Sequence, residues 1–448
     1  MTTDPSASGV HRLLAQHMLV DGLPLVLDLT ASQGSWLIDQ ATGERYLDMF
    51  TFFASSALGM NHPGMTENLQ FRKDLLEAAL NKPSNSDVYT VALARFVETF
   101  SRVMGDPALP HLFFIEGGSL AVENALKVAF DWKSRWNEAH GISPDLGTQV
   151  MHLTGAFHGR SGYTMSLTNT DPNKVARFPK FNWPRIESPW ITDERDVPAY
   201  ERRALAQAVE AFEANPHDIA CFIMETVQGE GGDHHFRPEF FAAMKDLCHR
   251  NDALFVLDEV QTGGGLTGKP WAYQWKGVEP DVVAFGKKLQ VCGVMAGGRV
   301  DEVPDNVFHV PSRINSTWGG NLTDMVRSRR ILEIIEADHL FDAAQERGAE
   351  LLDGLQRLAT SHPLLTNPRG LGLMCALTMP DRDVRDRVLN VLMEQEKVIM
   401  LGCGHRSLRV RPALTVSSET IQIALAALDR AVTLVEQDRD RDGDVQYA

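Results

Sequence analysis

Residues 281–290 read DVVAFGKKLQ. The apolar run Val282-Val283-Ala284-Phe285 stops at Gly286 and is followed at once by Lys287 and Lys288. Buried strands seldom end in adjacent lysines, because an ammonium without a partner is expensive to take out of water. A related pattern lies upstream, where Ala253-Leu254-Phe255-Val256-Leu257 closes on Asp258 and Glu259. HLFFIE (111–116) reads as a buried strand, and QVMHLTG (149–155) and IACFIMETV (219–227) are further short apolar runs. Several of these runs are separated by helical or loop segments. Such alternation predicts an α/β fold with a mostly parallel sheet covered by helices.

Outside this core the pattern changes. LVLDL (25–29), WLID (36–39) and RYLDMF (45–50), with ATGE as a turn, predict a small antiparallel meander. ENLQFRKDLLEAAL and VALARFVETFSRVM are helical in pattern, and SLAVENALKVAFDW puts Val122, Ala125, Leu126 and Ala129 on one face. After about residue 335 come helices, then MCALTM, KVIML and SLRVRP as strands, and a last helix from Glu419. The charged tail EQDRDRDGDVQYA is expected to fray. The division that follows is 1–70 and 335–448 as the two parts of a smaller α+β domain, with 71–334 as the large domain.

The 448 residues can hold a large core, and 44% hydrophobic with 23% charged residues is ordinary for a globular protein. No apolar stretch approaches the roughly 20 residues that span a bilayer. The opening MTTDPSASGVHRLLAQHM has no basic start followed by an apolar run, so it does not read as a secretory signal. A formal charge of −16 argues against nucleic acid or an anionic membrane as partner. Five widely spaced cysteines without a CxxC point to reduced thiols in a cytoplasmic protein. His234 and His235 are adjacent and cannot easily both bind one ion from a regular element, so no metal is expected.

In open α/β sheets the carboxyl ends of the strands face the ligand crevice. Asp258 and Lys287 both stand at such ends, which suits pyridoxal phosphate: the amine forms a Schiff base and the carboxylate keeps the pyridinium protonated. A buried Asp–Lys ion pair explains the same two residues equally well. Glu116-Gly117-Gly118-Ser119 precedes a helix, where free N–H groups favour an anion such as phosphate. A plain N-cap at Ser119 is the competing reading.

EGGSLAVENALK, AFHGRSGY, METVQGEGG, LDEVQTGGGLTG, PDVVAFGKKL and STWGGN occur in this order over 116–321. The series resembles the class III (ω-)aminotransferases, dimeric pyridoxal-phosphate enzymes of fold type I, and the resemblance covers nearly the whole chain. Within that family, LNKPSNSDVYTVALARFVETF, FHGRSGYTMSLTNT, QGEGGDHHFRPEFF and INSTWGGNLTDM are most similar to the branch acting on the ε-amine of L-lysine. The resemblance implies transfer of that amine to 2-oxoglutarate by a homodimer with shared active sites. The alternatives are a transaminase of ornithine, acetylornithine or 4-aminobutyrate, or a non-catalytic α/β protein.

Carried over by resemblance, Lys287 is the Schiff-base residue, Asp258 the pyridinium partner and Gln261 the residue beside the cofactor O3′. Gly118 and Ser119 match the phosphate loop, Phe157 the aromatic stacked on the ring, and Thr317 the residue reaching the phosphate from the other subunit. Arg160 would clamp the α-carboxylate of lysine, with Gln261 and Asn315 also on the substrate. Arg409 would receive the α-carboxylate of 2-oxoglutarate, and Glu230 would mask Arg409 during the lysine half-reaction. Bidentate carboxylate binding needs arginine geometry in both places. Three departures from the family stand out: KLQVCGVMAGGR after the lysine, Thr226 where many relatives have proline, and LTG in place of RTG. Finally, if the backbone is extended at Lys287-Lys288, the two side chains point apart and only Lys287 reaches the cofactor, leaving Lys288 as a supporting or solvent-facing charge.

Overall fold

The computed structural model describes residues 6–445. Two short strands come first, β1 (Trp36–Ile38) and β2 (Arg45–Asp48), paired antiparallel. The central sheet follows: β3 (His111–Ile115), β4 (Gln149–Leu153), β5 (Arg185–Ile186), β6 (Ile219–Glu225), β7 (Leu254–Asp258), β8 (Val282–Phe285) and β9 (Cys292–Ala296). Its spatial order is β3-β9-β8-β7-β6-β4-β5. From β8 through β7, β6 and β4 to β5 all pairings are parallel, while β9 runs against both β8 and β3.

Every residue of β6, β7 and β8 is buried, which is why their sequences are unbroken apolar runs. Alternate residues serve opposite faces. Leu254, Val256, Val282 and Ala284 pack with Val122, Ala125, Leu126 and Ala129 of the helix Gly118–Ala139. Phe255, Leu257, Val283 and Phe285 join a second core with Phe240, Phe241 and Met244 of the helix Pro238–Arg250. Apolar cover on both faces leaves the strand ends as the place where polar groups can gather.

The last strands are β10 (Thr366–Leu371), β11 (Met374–Thr378), β12 (Val398–Ile399), β13 (Leu401–Cys403) and β14 (Ser407–Val410). β10, β11, β14 and β13 form an antiparallel sheet in that order. β12 pairs in parallel with β2, so the two ends of the chain meet in one three-stranded sheet.

Several expectations fail for identifiable reasons. LVLDL is no strand: Leu27 makes only an isolated bridge, and Asp28 turns the chain by accepting from the N–H groups of Thr30 and Ala31. The third strand of that sheet is β12, paired in parallel with β2, so no antiparallel meander forms. HLFFIE is a half-buried edge strand, not a buried one. β9 lies within KLQVCGVMAGGR, where glycines break the apolar signal; a Cβ on Gly293 would stand 2.2 Å from the Phe113 carbonyl oxygen of the neighbouring strand. β10 carries Pro368 and shows no alternation, as an edge strand can. The charged tail does not fray where described. The helix Ser418–Val445 runs through it, tied by Glu436 to His362 (2.8 Å), and residues 446–448 lie outside the described residues.

Candidate active site

Glu225 and Asp258 are register partners at the ends of β6 and β7, and Asp258 pairs with Ala284 of β8. Two carboxylates therefore stand side by side, with Lys287 just beyond the neighbouring strand. A cavity of about 500 Å³ opens there, lined by Gly118, Ser119, Phe157, Arg160, Glu230, Asp258, Gln261 and Lys287 among others. Asn315 and Thr317 do not line it; both are exposed on a separate loop, where the Asn315 side chain accepts from the Ser316 N–H. Arg409, on β14, reaches the cavity through Glu230.

Sequence reasoning missed two residues here. His158 is buried, with Nδ1 2.8 Å from Asp258 Oδ2 and Nε2 without a partner among the described residues. Glu225 accepts from the N–H groups of Phe157 (2.9 Å) and Gly229 (3.0 Å). Burial, and after it the charge of Asp258, pushes the Glu225 carboxyl well above the carboxylate range. The signal for Glu225 was its position: it closes an apolar run just as Asp258 does.

The backbone at the two lysines is not extended. Lys287 has φ +48° and Gln290 φ +60°, and Lys287–Leu289 forms a single 3₁₀ turn. Gln290 Nε2 donates to the Ser55 carbonyl (2.7 Å) and Lys288 Nζ to that of Ser56 (3.2 Å), which fastens the turn to the chain around Phe53. Of the two, Lys287 lines the cavity, while Lys288 is wholly buried and faces no solvent. Burial lowers the Lys287 amine to about 8; Glu230 and Asp258 oppose this, while Arg409 and Arg411 add to it.

Thr51, Phe52, Phe53 and Ala54 all have positive φ (44° to 67°), a left-handed turn without glycine. Each such residue costs roughly 1–2 kcal/mol, so the surroundings must enforce the conformation. Asp48 Oδ1 accepts from the N–H groups of Phe50 and Thr51, and Thr51 Oγ1 donates to the Arg411 carbonyl (2.7 Å). The turn presents the Phe53 carbonyl to Lys287 Nζ (3.2 Å) and its ring to Lys287 and Arg409.

Lys288 makes stability pH-dependent. Burial lowers its amine to about 7, Arg411 adds repulsion and Asp48 partly offsets it. An unfolded lysine titrates near 10.4, so between about pH 7 and 10 the unfolded chain holds a proton that the folded chain lacks. The folded state therefore gains as pH rises through that window. Lys288→Met should flatten the rise of the urea midpoint between pH 7 and 9, and an unaltered rise would show that Lys288 stays charged.

Arg409 Nη2 donates to Glu230 Oε1 (2.7 Å), with Arg409 only 2% exposed. Burial alone would raise the Glu230 carboxyl, but Arg409 and then Lys174 and Lys287 hold it down to about 2. Arg160 is exposed on the cavity wall, with no hydrogen-bond or ion-pair partner among the described residues. Gly117, with φ +97°, opens the helix that starts at Gly118. A Cβ on Gly118 would stand 2.8 Å from Val260 Cγ1, so the helix start packs tightly on the strand end. Ser119 Oγ lies 2.5 Å from Ser161 Oγ and 2.9 Å from Thr164 Oγ1.

Two of the departures are structural. Thr226 Oγ1 donates to Glu259 Oε1 (2.6 Å), and Thr262 and the N–H groups of Ala272 and Tyr273 satisfy the rest of that buried carboxylate. Leu266 of LTG is fully buried core.

The family profile aminotransferase class-III matches residues 18–432. The chain belongs to the class III aminotransferases. It is 64% identical to the L-lysine-epsilon aminotransferase of Mycobacterium tuberculosis (strain ATCC 25618 / H37Rv) over 430 residues, 95% of this chain and 96% of that one. It is 58% identical to the L-lysine-epsilon aminotransferase of Streptomyces clavuligerus over 442 residues, 96% and 95% of the two chains. The solved structure of a lysine aminotransferase from M. tuberculosis superposes with a TM-score of 0.95 at 63% identity, covering 97% of this chain and all of that one.

The cavity of this class III aminotransferase suits pyridoxal phosphate on its own geometry. It offers an amine, a strand-end carboxylate for a cationic ring nitrogen, an aromatic wall at Phe157 and a helix start for an anion. Gln261 Oε1 is buried without a partner on its wall, a polar atom that a polar ligand could satisfy. Among the described residues no group of three or more His, Cys, Asp or Glu is placed to hold a metal ion, and no helix is long and apolar enough to cross a membrane.

Proposed function

We propose that the protein is a pyridoxal-phosphate-dependent lysine 6-aminotransferase. It moves the ε-amino group of L-lysine to 2-oxoglutarate, giving 2-aminoadipate 6-semialdehyde and L-glutamate. The observation that carries this reading is the covered arginine, Arg409 under Glu230, on the cavity that holds Lys287. The carbon bearing the ε-amine of lysine carries no carboxylate, whereas the reacting carbon of 2-oxoglutarate does. One site must therefore hide a guanidinium for the first substrate and expose it for the second. The 58–64% identity to L-lysine-epsilon aminotransferases supports lysine as donor.

Bound pyridoxal phosphate supplies the aldehyde that takes up the amino group and the ring that accepts electrons. The protein's own groups do the rest. Lys287 would anchor the cofactor and, as a free amine, would carry a proton on Nζ to and from the reacting carbon, a task its burial favours by lowering the amine. Asp258, held by His158, would pair with the ring nitrogen, Phe157 would support the ring face, and Gln261 would bind the ring hydroxyl. Gly118 and Ser119 would hold the phosphate at the helix start. Arg160 takes the α-carboxylate of lysine and Arg409 that of 2-oxoglutarate. Thr317 and Asn315, exposed in one chain, complete the site of a second copy in a homodimer with shared active sites. The large domain is residues 71–334, with both termini in the small one, and the enzyme works in the cytoplasm.

A donor panel with 2-oxoglutarate tests the reading. L-Lysine should give the highest kcat/KM against ornithine, acetylornithine and 4-aminobutyrate. A higher value for any of these would overturn lysine as the substrate.

A further inference from the structure

Glu230 is held by two cations. Its Oε1 accepts from Arg409 Nη2 (2.7 Å), and its Oε2 accepts from Lys174 Nζ (3.3 Å). The two partners differ in kind. Arg409 is buried, with a side chain 3% exposed, while that of Lys174 is 29% exposed. Lys174 ends the short turn Pro172–Lys174, and its Nζ lies 5.1 Å from the ring centroid of Phe157, itself a wall of the cavity. Sequence reading gave Lys174 no part.

We infer that Lys174 is a positioning residue that receives Glu230 when an acceptor carboxylate takes Arg409. The inference rests on the function proposed above. A carboxylate leaving Arg409 with nowhere to go would be a partly buried charge without a partner, which is costly. Lys174 removes that obstacle: Glu230 exchanges a shared contact for a full one by turning toward a cation it already touches. A lysine suits this task better than a second arginine, because a flexible ammonium can follow a moving carboxylate. Lys174 thereby favours binding of a diacid at Arg409 without itself touching it.

Binding of glutarate, an unreactive five-carbon diacid, to the cofactor-loaded enzyme by calorimetry reads this out. Lys174→Met should weaken glutarate about 5- to 30-fold, and Lys174→Arg should restore most of the loss. Glu230→Gln should tighten glutarate. In the Glu230→Gln background Lys174→Met should change affinity less than twofold, because the lysine acts through the carboxylate. If Lys174→Met weakens glutarate equally in both backgrounds, the lysine attracts the diacid directly and the inference fails. It fails too if Lys174→Met leaves wild-type affinity unchanged. Arg409→Ala separates the two levels: lost glutarate binding there, with no effect of Lys174→Met, overturns only the inference. Equal glutarate binding by wild type and Arg409→Ala overturns the role of Arg409 and the inference together.

Discussion

Lys287→Ala is expected to abolish turnover and to remove the covalent, borohydride-reducible link between protein and cofactor. The expectation rests on placement. Lys287 Nζ is the lysine nitrogen that reaches the cavity, its amine is lowered to about 8 by burial, and the Phe53 carbonyl holds it at 3.2 Å. Loss of a group that moves a proton at the reacting carbon costs about 10²–10⁴-fold by itself, and loss of covalent anchoring adds to that. Lys288→Ala should keep the link, because Lys288 points into the protein toward the Ser56 carbonyl. After borohydride reduction, peptide mass spectrometry should find the cofactor mass on Lys287. Finding it on Lys288 would refute the assignment.

The second large effect is expected at Arg409. Arg409→Ala should leave single-turnover reduction of the cofactor by L-lysine largely intact while crippling reoxidation by 2-oxoglutarate. Removing one partner of a buried, charge-assisted contact costs about 2–5 kcal/mol, roughly a 30- to 4,000-fold loss. Under the proposed function the lysine half-reaction needs Arg409 only as the partner of Glu230, and Glu230 would keep its contact with Lys174. Stopped-flow measurement of each half-reaction separates the two. Equal damage to both would show that Arg409 supports the fold of the site instead of recognising the acceptor.

What could be read from the sequence was what single strands carry. β6, β7 and β8 announced themselves because full burial leaves no polar residue until the strand ends, and there the same logic exposed Asp258 and Lys287. β9 stayed hidden because close approach to Phe113 demands a glycine that dilutes its apolar signal. The extended backbone on which the separation of Lys287 from Lys288 was conditioned is not what forms. Nothing local announces φ +48°; bonds from Lys288 and Gln290 to residues more than 200 positions away accompany it. The left-handed turn at Thr51–Ala54 is hidden for the same reason, since its residues carry no glycine and its restraints include the distant Arg411 carbonyl. Glu225 closes an apolar run in the sequence, but only the sheet register sets it beside Asp258, and His158 meets Asp258 only through the folded loop after β4. Lys174 required the folded position of a loop. Motif order conveyed the family; pairwise contacts between motifs did not show until the chain was folded.

The central claim is that the ε-nitrogen of lysine is the one transferred. L-Lysine labelled with ¹⁵N at either the α or the ε position, incubated with the cofactor-loaded enzyme and 2-oxoglutarate, tests it by mass spectrometry of the glutamate formed. ¹⁵N should appear in glutamate from ε-labelled lysine and not from α-labelled lysine. Label arriving from the α position would contradict it.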